Sequence, residues 1–307
     1  MVPRFPRTQH LQFIEQRARE LLESSHLARQ IHALIPQLAL PREDAPWPST
    51  IRGINGLPDD QRNAIYRSLL PVELFDKLGL DPATHTHIDH GAVSLYAPDD
   101  SRAMELVVRN DPQDRDPMFY LNIADTFNNQ IRVLFVIIND PDSPRFDTDV
   151  DEEGRPTHFG TERRNIPAEL AAMQAGLMPG QVRRGLSVLR ACVPMLEDFV
   201  DQMGHDMFLV EPLAYHNAIL FERYGFSYLV GRQEMERIHA EFQPGGELHA
   251  KLTPDNPFRA PDHWQTVHGR SWAIHDGILG HPYSGVQMYK RIGIDADVST
   301  FPDAIWR

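Results

Sequence analysis

The chain has 307 residues, with 43 acidic against 30 basic side chains and a formal net charge of −13. Nucleic acid and anionic membrane both need a cationic surface, so this excess of acid argues against either as the main partner. Cys192 is the single cysteine, which excludes an intrachain disulfide and any multi-cysteine zinc site. With 41% apolar and 24% charged residues the composition is that of a globular chain. No apolar run is long enough to span a bilayer, and Arg4 and Arg7 have no apolar core behind them. A cytoplasmic protein acting on a small-molecule substrate is therefore expected; a homo-oligomer is compatible with this.

Leu11, Ile14, Ala18, Leu21, Leu22, Ala28, Ile31 and Ile35 fall mostly three or four apart, which predicts a helix ending at Pro36. Pro41, Pro46 and Pro48 mark a linker, and short helices are expected over 59–70 and 71–78. Residues 1–80 thus read as an N-terminal helical segment. Residues 81–307 read as a mixed α/β domain with a loop-rich C-terminal extension. In that domain 92–97, 103–109, 118–127 and 131–139 are rich in β-branched and aromatic residues. Pro98-Asp99-Asp100 and Asn128-Asn129 supply turn chemistry between them, so two consecutive hairpins are expected. Residues 140–156 hold seven acids and three prolines and read as a solvated loop. A helix then runs from Pro167 to Gly176. Val182, Leu186, Leu189, Val193, Leu196, Val200 and Met203 recur at alternating steps of four and three, one apolar seam of a long helix. A strand over 207–211, a helix over 215–224, a strand over 227–230 and a helix over 232–242 follow. Residues 288–294 echo 220–226, as a second helix ending at a glycine would.

The succession from Gln181 through Gly185, the seam helix, the strand before Pro212 and the ending Phe221-Glu222-Arg223-Tyr224-Gly225-Phe226 resembles the second half of the GNAT superfamily of N-acetyltransferases. The resemblance spans residues 181–230. It implies a GNAT-like α/β fold with a largely antiparallel sheet flanked by helices. It also implies binding of acetyl-CoA or another acyl-CoA, whose pyrophosphate sits on main-chain amides at a helix start. The positions that would hold it are Gln181, Arg183, Arg184, Gly185 and Ser187. The likeness implies acyl transfer to a small amine. Glu211 or His216 would take the amine proton, and Tyr224 or Tyr215 would protonate the leaving thiolate, because Phe221 replaces the tyrosine often used. Gln181 and Gly185 are one residue farther apart than in the family loop, and Ala214 stands where the family carries an asparagine.

Fifteen histidines raise rival readings. His85-Thr86-His87-Ile88-Asp89-His90 matches the metal-binding string of metallo-β-lactamase-like hydrolases, with a different context on both sides. Glu236 and His239, three apart on a helix, could join His216 and His275 as ligands of one metal ion. Asp147-Thr148-Asp149-Val150-Asp151 begins like a calcium loop, but Glu152 and His158 stand where glycine and glutamate are required. Residues 269–277 read as a pocket-lining loop with His275 as acid or base, and Ser271, His275 and Asp276 have the residue types of a triad. A metal-dependent enzyme and a non-catalytic GNAT-like binding protein are the alternatives to an acyltransferase.

Overall fold

The computed structural model describes residues 44–78, 93–111, 113–157, 163–186 and 188–307. The expected N-terminal helix, the His85–His90 string, His158 and Ser187 lie outside the described residues. The chain forms two compact units. One takes Met1–Pro141 and Gly185–Leu209, the other Asp142–Arg184 and Val210–Arg307.

Among its described residues the first unit holds helices α1 (Ile51–Asn55), α2 (Asp59–Arg67) and α3 (Val72–Leu78). Thr50 caps α1 by accepting from Gly53 N at 2.9 Å. Strands β1 (Val93–Tyr96), β2 (Ala103–Val108), β3 (Phe119–Asp125) and β4 (Ile131–Ile138) follow. All three pairings are antiparallel, with Leu95 opposite Leu106 and Leu106 opposite Leu121. Asp100 and Asn129 take left-handed backbone at the two expected turns, with φ 62 and 59, a conformation these side chains tolerate better than most. β3 is buried along its whole length, so it carries apolar residues on both faces rather than alternating. A register shift between Asn122 and Ile123 leaves Leu134 unpaired as a bulge in β4.

Asp125, at the end of β3, ties the sheet to α1. Its carboxylate accepts from Ile51 N at 2.7 Å and Arg52 N at 2.9 Å. Asn55 bonds the carbonyls of Ser101 and Ala103 and accepts from the Tyr66 hydroxyl at 2.6 Å. Helix α4 (Leu189–Gln202) buries Cys192, Val193, Leu196, Phe199 and Val200. The Phe199 ring lies 5.6 Å from Trp47 and 6.3 Å from Tyr66. Strand β5 (Met207–Val210) completes the order β1-β2-β3-β4-β5.

The seam helix is shorter than its periodicity predicts. Val182 and Leu186 are buried, yet residues 181–186 are not helical. Phe146 N bonds the Val182 carbonyl at 2.8 Å and Ser143 Oγ takes Arg184 N at 3.2 Å. These bonds draw main-chain groups out to a neighbouring segment, and a helix would need them along its own axis.

The second unit holds α5 (Ile166–Gln174), α6 (Tyr215–Glu222), β6 (Ser227–Val230), α7 (Arg232–Phe242), α8 (Glu247–Ala250), α9 (Val267–His275) and β7 (Gln287–Arg291). Asn165 caps α5 and Gly176, at φ 79, closes its end. β6 and β7 pair antiparallel, with Ser227 opposite Tyr289. Two expectations are overturned here. Residues 267–275 form a buried helix rather than a loop, and 287–291 form a strand rather than a second copy of α6. Across both units the described residues form a mixed α/β protein with antiparallel β1–β4 and β6–β7 pairings. No helix among the described residues is long and apolar enough to cross a membrane.

Candidate functional site

The expected pyrophosphate cradle divides into two kinds of residue. Gln181 is engaged locally: its side chain accepts from Met178 N at 2.8 Å, and its carbonyl accepts from Thr148 Oγ1 at 3.1 Å. The Arg183 guanidinium donates to the Ser143 carbonyl. Arg184 is exposed. Gly185 lies against the end of β4, where an added Cβ would stand 3.3 Å from the Ile138 carbonyl oxygen. Helix α4 then begins at Leu189, and the side chain of Val188 just ahead of it makes no capping hydrogen bond. The uncapped helix start therefore lies past Gly185, several residues later than the sequence spacing predicts.

The candidate acids and bases differ in environment. His216 is 6% exposed, and its Nδ1 has no hydrogen-bond partner. Burial, then the charges of His275 and His268, push its pKa down to about 3. Tyr215 is 1% exposed beside Tyr283, and burial pushes its hydroxyl up to about 12 despite the facing Arg270 guanidinium. Glu211, directly after β5, and Tyr224, after α6, are half-buried. Tyr224 N bonds the Phe221 carbonyl at 3.0 Å, and Gly225, at φ 77, turns the chain out of the helix. Phe221 packs on the buried Phe226 with ring centroids 5.0 Å apart. Glu222 accepts from the Tyr228 hydroxyl, and from Thr300 N at 3.1 Å and Oγ1 at 2.6 Å.

His216, Glu236 and His239 do not form a metal-holding group, and no group of three or more potential ligands occurs among the described residues. Glu236 is ion-paired to Arg232 at 2.8 Å. His239 Nδ1 accepts from the fully buried Arg270 at 3.1 Å. The acids of the calcium-like loop are neutralised from within: Arg145 pairs with Asp147 and Asp149, and Arg155 with Asp151.

Ser271, His275 and Asp276 do not make a triad. Asp276 accepts from Arg164 at 2.6 Å, Arg259 at 2.6 Å and Asn256 at 2.9 Å. The carboxylate on His275 is instead Glu169 of α5, with Oε1 3.2 Å from His275 Nε2. Glu169 is 2% exposed and is also bonded by Arg164. Burial raises its pKa, but the bonds from His275 and Arg164 outweigh this and leave it lowered. Ser271, one helical turn before His275, is buried with no hydrogen-bond partner on Oγ. Glu169 is the residue that the sequence reading missed. Its signal is a lone carboxylate in the otherwise uncharged stretch Ile166–Gln174.

The chain matches no family model, no curated protein and no solved structure.

Proposed function

We propose that the protein transfers an acyl group from an acyl-CoA to a small amine. The observation that carries this reading is the start of α4. It has no side-chain cap, and Gly185 just before it lies against the last residue of β4. Unpaired amides and the positive end of a helix dipole favour a diphosphate there. A larger residue at Gly185 would crowd the Ile138 carbonyl oxygen and disturb the segment that leads into the helix. Arg184, exposed just ahead of the helix, adds a cation that a diphosphate can use. The GNAT resemblance of the Phe221–Phe226 ending supports the same reading.

Environment also divides the acid–base candidates. An imidazole pushed down to about 3 is a poor base for an amine, and a phenol pushed up to about 12 is a poor acid for a thiolate. Within this reading, Glu211 takes the base role over His216, and Tyr224 the acid role over Tyr215. Isothermal titration with CoA tests the cradle. Arg184→Ala is expected to weaken CoA binding about twofold to fivefold, the scale of one exposed charge at a helix start, with the fold unchanged by circular dichroism. Absence of CoA binding by the unaltered protein overturns the reading.

A further inference from the structure

We propose that the interior of the second unit binds a small monovalent anion, of the size of chloride, between Arg270 of α9 and Tyr215 of α6. Both residues belong to that unit, as does every group named around them. Arg270 is fully buried, and a guanidinium stays protonated at neutral pH. A buried charge is costly unless an opposite charge answers it. The acceptors that Arg270 reaches are neutral: Nε donates to the Trp264 carbonyl at 2.7 Å and Nη1 to His239 Nδ1 at 3.1 Å. Nη2 has no hydrogen-bond partner, and no carboxylate among the described residues pairs with the guanidinium. The Phe301 and Phe242 rings lie 3.6 Å and 5.2 Å from Cζ. Ring faces attract a cation but carry no net charge to cancel it.

Tyr215 faces the guanidinium from the neighbouring helix, and its hydroxyl also has no hydrogen-bond partner. Two donors thus point toward one place without a bond closing between them. Nη2 can only donate, and a hydroxyl can donate as well. The species that takes both hydrogens and cancels the charge is an anion. Glu222, on the same helix as Tyr215, is committed elsewhere, since its carboxylate accepts from the Tyr228 hydroxyl and from Thr300 N and Oγ1. Tyr215 does not supply the charge itself, because burial pushes its hydroxyl up to about 12.

The surroundings set the size of the ion. Tyr215, Phe242, Arg270 and Phe301 are all buried, with Phe301 the most exposed at 7%. A close-packed site of this kind admits a single-atom ion in the volume of a water molecule. A phosphate or an organic acid would have to part the rings, and one guanidinium matches one negative charge. Because the site exists only in the folded chain, the ion stabilises the fold in proportion to its concentration.

Thermal denaturation at fixed ionic strength, with sodium chloride exchanged for sodium gluconate, tests this. The gluconate anion is too large for a closed site. Chloride at ten times its dissociation constant is expected to raise the midpoint by about 3–6 °C. Tyr215→Phe keeps the ring and removes one donor, and is expected to raise the chloride concentration for half the effect by about tenfold. Arg270→Met is expected to abolish the chloride dependence; if it fails to fold, Tyr215→Phe decides. Crystals soaked in sodium bromide are expected to show an anomalous-scattering peak within hydrogen-bond distance of Arg270 Nη2. Equal midpoints in chloride and gluconate overturn the proposal, and so does a chloride dependence unmoved by Tyr215→Phe. A crystal in which Nη2 bonds a water or the Tyr215 hydroxyl itself overturns it too. A bromide peak without any effect of chloride on the midpoint marks an adventitious ion only, and that also overturns it.

Discussion

Burial pushes the His216 imidazole down to about 3, and burial likewise lowers His239 and His268, with Arg270 adding to the effect on His239. In the unfolded chain each titrates near 6.5. The folded values lie below the unfolded one, so the fold favours the neutral rings. Their contribution to stability is complete above about pH 6.5 and is lost as pH falls, for His216 down to about 3. The buried His216 ring, which must stay neutral, adds a slope of about 1.4 kcal/mol per pH unit within its window. Urea titrations between pH 7 and pH 4 should show stability falling with acid, and His216→Gln should flatten the slope by the share of one proton. An unchanged slope in that variant counts against the buried neutral ring. A second residue-level test is Gly225. Its φ is 77, and an added Cβ would lie 2.9 Å from Asp295 Cα. Gly225→Ala should cost at least about 1–2 kcal/mol, read as a lower urea midpoint, since backbone on both sides must shift.

At the scale of elements, helix α9 shows why some of the fold is legible in sequence and some is not. Val267 and every residue from Gly269 to Ile274 are buried, so the helix has no polar face and its period leaves no trace in the pattern of hydrophobicity. Its glycine adds to the disguise. Gly269 is there because a Cβ would come within 2.5 Å of His263 Cα, a tertiary reason that reads locally as loop chemistry. The β1–β4 strands are the opposite case. Asp100 and Asn129 mark their turns through a local conformational preference, which a sequence displays directly. The His275–Glu169 pair spans 106 residues, and no local pattern can reveal which of several nearby carboxylates reaches a ring; Asp276, adjacent in sequence, goes to two arginines instead. The start of α9 also gives a prediction. Thr266 Oγ1 accepts from Gly269 N at 2.9 Å, while Val267 N and His268 N bond the carbonyls of Ile305 and Trp306. Thr266→Ala should cost about 1 kcal/mol through the lost cap, and Thr266→Ser should restore most of it. Equal stability of all three proteins by thermal denaturation would show that the Ile305 and Trp306 carbonyls suffice.

At the scale of the whole chain, the path is the informative feature. The chain leaves the first unit at Pro141 and returns for Gly185–Leu209, so neither unit is one continuous stretch. What the returning stretch brings is substantial. α4 supplies Phe199 to the rings of Trp47 and Tyr66, the Gln202 carbonyl accepts from Trp47 N at 3.2 Å, and β5 takes the place beside β4. Phe199 and Val200 are at most 1% exposed, and burial of such side chains contributes roughly 1.5–3 kcal/mol each. That is a large fraction of the roughly 5–15 kcal/mol that holds a domain together. A fragment ending at Pro141 therefore keeps all four antiparallel strands but loses the helix that covers Tyr66. It should show β-rich circular dichroism without a cooperative melting transition, and it should bind a dye that reports exposed apolar surface. Joining 185–209 to its end through a flexible Gly/Ser linker should restore a cooperative transition and displace the dye. A sharp transition in the fragment alone would mean that the β1–β4 sheet and α1–α3 are self-sufficient without the burial that α4 adds.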